Sequence, residues 1–127
     1  MSSIAMLVGR VLLSAIFIQA GLSKLMNVAG TIGYFESLGL PLASLLIWIV
    51  ILVELVGGLM VLTGLYIRIA ASMLALFSIA AALTGHSDWS DMVHFQAFMK
   101  DMAISGGLLY VAAAGAGIIS LDMRRGV

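Results

Sequence analysis

The residue in this sequence with the greatest chemical potential is Glu54, a carboxyl group near the centre of the apolar run at residues 42–65. That run is long enough to cross a lipid bilayer. An ionisable side chain at such a depth costs at least roughly 2.5 kcal/mol, so it needs a partner or a function. The basic residues of the first apolar run, Arg10 and Lys24, are the candidates to pair with it.

The depths of the charged residues favour two ion pairs. At a rise of about 1.5 Å per residue, Arg10 and Glu54 fall within roughly two helical turns of each other. Lys24 and Asp101 both lie near the opposite ends of their own apolar runs. We therefore predict an Arg10–Glu54 pair and a Lys24–Asp101 pair. A rotation of the helices gives a Lys24–Glu54 pair as the alternative.

Two interpretations of these charges stay open at this stage. Glu54, with Arg10 or Lys24, either binds a polar ligand or relays a proton, or it forms a structural ion bridge that fixes helix register. A quinone head group, with two carbonyl acceptors, suits an Arg or Lys donor beside a protonatable carboxylate. The predicted ligand-binding site or buried polar network consists of Glu54, Arg10, Lys24, Asp101, Lys100 and His86.

A string of possible metal ligands, His86, Asp88, Asp91 and His94, follows the third apolar run. Imidazole and carboxylate are acceptable ligand types for a divalent metal. The chain has no Cys, however, and the string contains no ordered pair of helical ligands. Neither His lies at mid-bilayer depth, which argues against haem. We predict solvated loop residues here and no metal site.

The composition indicates a membrane protein. Of the 127 residues, 63% are hydrophobic and only 9% are charged. A soluble domain of this size could not bury so much apolar surface. The formal net charge is zero and the chain has no basic run, so nucleic-acid binding is disfavoured.

Four segments reach the length of about 20 apolar residues that a membrane-spanning helix requires. They predict an all-α fold, an integral-membrane antiparallel four-helix bundle in a single domain at residues 1–127. The predicted spans are residues 4–25, 42–65, 67–85 and 98–121. A short interfacial helix is expected between the first two spans, at residues 27–39, before Pro41 begins the next element.

Polar and small residues recur in each span at spacings of three and four, which predicts that the charges face the bundle interior. The cationic residues near the span ends predict the orientation of the bundle. Arg68, Arg124 and Arg125 share the side of both termini, whereas Lys24 and Lys100 lie on the other side. The positive-inside rule then places both termini in the cytoplasm.

An ordered series of short motifs covers nearly the whole chain. It consists of Arg10, GLSKL (21–25), YFESLGLP (34–41), ELVGG (54–58), GLYIR (64–68), FMKD (98–101), SGGLL (105–109) and GAGIISLD (115–122). The series resembles the DoxX family of small four-span membrane proteins, above all the enterobacterial inner-membrane branch, which has a GH…W stretch before the last span. In one departure, Lys100-Asp101 stands where the family usually has Lys-Asn.

The resemblance implies a multi-pass protein of the bacterial inner (plasma) membrane. Some DoxX relatives are membrane subunits of thiosulfate:quinone oxidoreductase, and others resemble partners of redox enzymes. The expectation is therefore a redox-associated subunit that binds quinone or an oxidoreductase partner.

This chain has no complete catalytic or cofactor constellation, which leaves open whether it is an enzyme. Without Cys, a dinucleotide fingerprint or a haem ligand pair, it cannot hold electrons alone. A bound quinone or a partner must supply that chemistry. The alternatives are a transporter of small solutes or protons, and a structural or assembly protein without a ligand. The small residues Ala113 and Gly117 give a weak signal for a homo-oligomer.

Overall fold

The computed structural model describes residues 2–126, and its helices form the predicted all-α bundle. They are α1 (Ser2–Met26), α2 (Val28–Ser37), α3 (Ala43–Thr63), α4 (Ile67–Gly85), α5 (Met92–Ala114) and α6 (Leu121–Arg124). Helices α1, α3, α4 and α5 are long and apolar enough to cross a membrane. They alternate in direction. The proximal end of the bundle carries α6 and the α3–α4 turn, and the distal end carries α2 and the α4–α5 connection.

The last long helix lies closer to the N-terminus than the predicted span at 98–121. Helix α5 begins at Met92 because Asp91 caps it, accepting a hydrogen bond from the second backbone N–H of the helix at 3.0 Å. It ends at Ala114 because Gly115 follows with φ 87°. The predicted bounds are wrong because they followed apolar content and not the signals that start the helix at Asp91 and end it at Gly115.

The predicted short helix between the first two spans is present as α2. Asn27 caps it by accepting a hydrogen bond from the N–H of Gly30 at 3.2 Å. Phe35 is the buried residue of this helix and packs with Ala43 and Ile47 of α3. This contact fixes α2 over the distal end of α3.

The four long helices form two closely packed pairs, α1 with α3 and α4 with α5, which meet mainly where α3 contacts α4. Two glycines permit the close approach of α1 to α3. A Cβ atom at Gly21 would lie 2.7 Å from Leu55, and one at Gly58 would lie 2.9 Å from Ile18. The distal half of α1 is therefore pressed against α3 at the level of Glu54.

The buried face of α4 only partly matches the stripe of polar and small residues expected there. Ala75 and Ala82 of that stripe are buried as expected, whereas Arg68 and Ser72 are exposed. Small side chains on this face let α5 approach, and the hydroxyl of Ser105 in α5 donates to the carbonyl of Ala75 at 3.2 Å. The predicted inward position of Arg68 is therefore wrong.

Arg10 binds the end of a helix at the proximal end of the bundle. Its side chain is buried, and Nη1 donates to the carbonyl oxygens of Val61 and Leu62 at 3.4 and 3.2 Å. Its Nη2 donates to the carbonyl oxygen of Ile119, in the segment before α6. A cation at the carbonyl end of α3 is favoured by the helix dipole. Arg10 thus joins α1, α3 and the C-terminal segment.

Asp122 performs the complementary role at the start of α4. Its carboxylate accepts hydrogen bonds from the backbone N–H groups of Tyr66 at 2.6 Å and Ile67 at 2.8 Å. Tyr66 has φ 45°, a left-handed conformation that costs a residue with a Cβ atom about 1–2 kcal/mol. The buried carboxylate stabilises this strained turn and satisfies two N–H groups that the helix cannot pair itself.

The Asp122 cap yields a stability prediction. We expect Asp122→Ala to lower the free energy of unfolding by about 2 kcal/mol, because two hydrogen bonds to a buried carboxylate are lost. Thermal melting in detergent micelles measures the change. Arg124→Ala, at an exposed position in α6, is the matched control and is expected to leave the melting temperature unchanged. Equal melting of the two variants would contradict the assigned role of Asp122.

Candidate functional site

Glu54 pairs with Lys24. The ammonium Nζ of Lys24 lies 2.8 Å from Oε1 of Glu54, and the two side chains are 25% and 5% exposed. This is the alternative pairing considered from the sequence. The first-choice Arg10–Glu54 pair is wrong, because Arg10 binds carbonyls about two turns nearer the proximal end, about 11 Å along α3.

The predicted Lys24–Asp101 pair is also wrong, for a reason that lies in helix packing. Lys24 belongs to α1, which packs on α3, whereas Asp101 belongs to α5, which packs on α4. The distal ends of α1 and α5 are thus held by different partners. Asp101 is half-buried and instead lies within electrostatic range of His86.

A cavity of about 450 Å³ opens beside the Lys24–Glu54 pair in the distal half of the bundle. Its walls come from the end of α1, from α2, from the distal part of α3 and from the C-terminal part of α4. Its polar and aromatic lining residues are Lys24, Glu54, Tyr34, Phe35, Phe77, Thr84 and His86. The remaining wall is aliphatic, so the site combines a few polar groups with an apolar enclosure, as ligand sites commonly do.

The Glu54 carboxylate is incompletely satisfied. Lys24 lies close enough for an ion pair, but the Oε1 atom is buried and accepts no hydrogen bond from the described residues. The short distance and the missing hydrogen bond are compatible, because an ion pair needs proximity whereas a hydrogen bond also needs direction. The Lys24 ammonium therefore balances the charge of Glu54, and the carboxylate keeps acceptor capacity for a further donor.

Two histidines face each other at the distal end of the bundle. Nδ1 of His86, the residue that follows α4, lies 3.1 Å from Nδ1 of His94 in the first turns of α5. The α4–α5 connection also holds Asp88, whose pKa is lowered below its ordinary value by a hydrogen bond from the Ser90 hydroxyl. The structure therefore brings His86 to the same cavity as Lys24 and Glu54.

The other predicted site residues lie elsewhere. Arg10 is at the proximal end, and Lys100 is on the exposed surface of α5 and does not line the cavity. A larger hollow of about 760 Å³ is present at the proximal end, lined in part by Arg68 and Asp122. Its charged groups already have backbone partners, since Asp122 accepts from two backbone N–H groups and Arg68 donates to the carbonyls of Ala112 and Ala113 at 2.8 Å. We therefore place the candidate site at Glu54.

Two contributions to the site were not predicted. Tyr34 enters the cavity from α2, whose sequence predicted an interfacial helix but not which of its side chains face α4. His94 was considered only as a solvated loop residue or weak metal ligand. It lies eight residues after His86, and that spacing indicates a contact between the two rings only once α5 is known to begin at Met92.

Comparison with known proteins reveals clear similarity. Residues 5–87 match the DoxX family. The chain is 38% identical to the "Inner membrane protein YqjF" of Escherichia coli over 96% of this chain and 92% of that protein. It is 32% identical to "Inner membrane protein YphA" of the same organism, over 95% and 90%. It is 41% identical to the "Putative oxidoreductase CatD" of Bacillus subtilis over 59% and 54%. No solved structure matches the chain.

The Lys24–Glu54 pair yields a prediction about energetic coupling. We expect Lys24→Met to destabilise the bundle by about 2 kcal/mol, less than the roughly 3–5 kcal/mol for a fully buried pair, because Lys24 is partly exposed. The double variant Lys24→Met/Glu54→Leu should recover most of the loss, since no unpaired carboxylate remains. Unfolding of the four proteins of this double-mutant cycle in micelles measures the coupling. Additive losses would show that the two residues do not interact.

Proposed function

This chain belongs to the DoxX family, and we propose that it is a redox-associated subunit of the bacterial inner membrane whose distal cavity binds a quinone. The observation that carries the proposal is the buried Glu54 carboxylate, with the Lys24 ammonium 2.8 Å from its Oε1 atom, in a largely apolar cavity. These groups match a small, largely apolar ring that carries oxygen atoms at two positions.

The polar groups suit both redox forms of a quinone. Lys24 can donate a hydrogen bond to a quinone carbonyl oxygen, and protonated Glu54 can donate to a second. With Glu54 ionised, Oε1 accepts instead, and the hydroxyl of a hydroquinone supplies the missing donor. A carboxyl group that exchanges a proton with a ring oxygen is what quinone redox chemistry requires of its binding site.

The apolar walls suit the remainder of such a molecule. Phe77 and Val50 line the cavity next to the polar pair, and a ring can pack against them. Ile49 also lines the cavity and is 50% exposed on the outer surface of the bundle. The cavity therefore reaches the surface that faces lipid, and an isoprenoid tail can extend from it into the bilayer.

The redox role rests on the chemistry of the chain and on one relative. With no Cys, this chain lacks thiol redox chemistry, so electrons must pass between a bound quinone and a partner subunit. The similar Bacillus protein is named a putative oxidoreductase, which supports an association with electron transfer. We also propose that both termini are cytoplasmic, because exposed Arg68, Arg124 and Arg125 share the proximal end. The quinone cavity then lies in the outer half of the membrane.

Quinone binding by the full chain in lipid nanodiscs tests the proposal. A short-tailed ubiquinone analogue is titrated, and its dissociation constant is measured for the wild type and for Glu54→Gln and Lys24→Gln. We expect each variant to bind about tenfold more weakly, the effect of losing one hydrogen bond to a charged group.

The chain supplies matched controls for both changes. Glu36→Gln makes the same chemical change on the exposed surface of α2, and Lys100→Gln does so on the exposed surface of α5. Both controls are expected to bind like the wild type. A wild type that binds no quinone, while Glu54→Gln alters only the melting temperature, would overturn the proposal and leave the ion pair a structural role.

A further inference from the structure

The two histidines of the chain meet at a distance that has a direct chemical consequence. At 3.1 Å between the two Nδ1 atoms, one nitrogen must donate and the other must accept. The pair therefore holds one proton between the two rings. If both imidazoles are charged, both Nδ1 atoms carry a proton and the bond is replaced by repulsion.

The pair lies where such a change can affect the cavity. His86 is the C-cap of α4 and also a lining residue of the cavity beside Lys24 and Glu54. His94 is anchored in α5, so the imidazole bond ties the end of α4 to the beginning of α5. Hydrogen bonds within the connection are local, as from Asp91 N–H to the Asp88 carbonyl at 3.3 Å. The rings of Trp89 and Phe98, 5.0 Å apart, provide a second, apolar contact.

Carboxylates lie around the two rings. Oδ2 of Asp91 lies 4.0 Å from Nε2 of His94, and Asp88 is also within electrostatic range of that ring. On the other side, Asp101 is within electrostatic range of His86. Each imidazole thus has carboxylates of its own, which attract it once it is charged. The ionisable groups that share the cavity with His86 are Lys24, Glu54 and Tyr34.

A shared proton accounts for this geometry better than a shared metal ion. Within residues 2–126 there is no group of three or more His, Asp or Glu side chains arranged to hold a metal. Two imidazole nitrogens alone fall short of the three or four protein ligands typical of a zinc site.

We propose that His86 and His94 form a proton-responsive latch beside the Lys24–Glu54 cavity, which His86 lines. The latch is closed while the rings share one proton and opens when both are charged. Because imidazole changes charge between about pH 5 and pH 8, acidification favours the open state. The use of the cavity by a quinone rests on the function proposed above, whereas the latch itself does not.

Cysteine accessibility tests the latch without any ligand. The chain has no Cys, so Ala81→Cys places a single thiol on the cavity wall. Its reaction rate with a water-soluble thiol reagent is measured for the full chain in nanodiscs, with His94 intact and with His94→Asn. Loss of one hydrogen bond should accelerate the reaction about three- to tenfold at about pH 7.5. The two rates should converge toward about pH 5, because protonation of both rings opens the latch in the protein that has it.

Comparing the protein that has His94 with the His94→Asn variant removes other effects of pH. Thiol ionisation, Glu54 and Asp101 are common to both proteins and cancel in the ratio of their rates. Ser37→Cys, on the exposed surface of α2, is the control thiol and should give a ratio of one at both pH values. His86→Asn serves as the second latch variant and should reproduce His94→Asn.

Three results would overturn the proposal: a ratio of one at both pH values for Ala81→Cys, a ratio that persists at about pH 5, or a ratio abolished by a chelator, which would indicate a bound metal. The outcome is separable from that of the quinone titration. A pH-dependent ratio with no quinone binding supports the latch and refutes the proposed function. Quinone binding with a constant ratio does the reverse.

Discussion

A charge placed inside an apolar bundle must be balanced by an opposite charge or by oriented backbone dipoles, and in this molecule that requirement determines which helices meet. Arg10, Glu54 and Asp122 are all buried. Arg10 and Asp122 use the backbone, one at the carbonyl end of α3 and the other at the N–H end of α4. Their two helix ends adjoin in a single turn, so these two charges fix the proximal end of the bundle, although Nε of Arg10 is buried without a hydrogen-bond partner among the described residues.

The distal half solves the same problem less completely. Glu54 is balanced by one flexible lysine, and that lysine reaches it because Gly21 lets α1 lie against α3. A lysine ammonium is a compact charge on a rotatable stem, so it can turn toward a ligand without moving a helix. The remaining acceptor capacity of Glu54 faces a cavity and not another helix. Arg10, although as deeply buried, donates to three backbone carbonyls, and we therefore assign it a structural role.

The sequence predicted the number of spanning helices and the short helix α2 from apolar length and an Asn cap, because these signals are local. It also singled out Glu54, which lines the distal cavity, and the role of Glu54 there stays a prediction. It failed on the pairing of Arg10 and of Lys24, since pairing depends on which helix packs on which. Equal depth along two helices does not decide that. The start of α5 was missed because the Asp91 cap, not the onset of apolar residues, determines it.

Helix α4 connects the two ends and is held differently at each. At its start, Asp122 binds two backbone N–H groups, and backbone amides do not change charge. At its end, His86 is held by an imidazole bond that exists only while one of the two Nδ1 atoms lacks a proton. In the proposed latch, protonation of both rings therefore acts on the distal end of α4 and not on the Asp122 cap at its start.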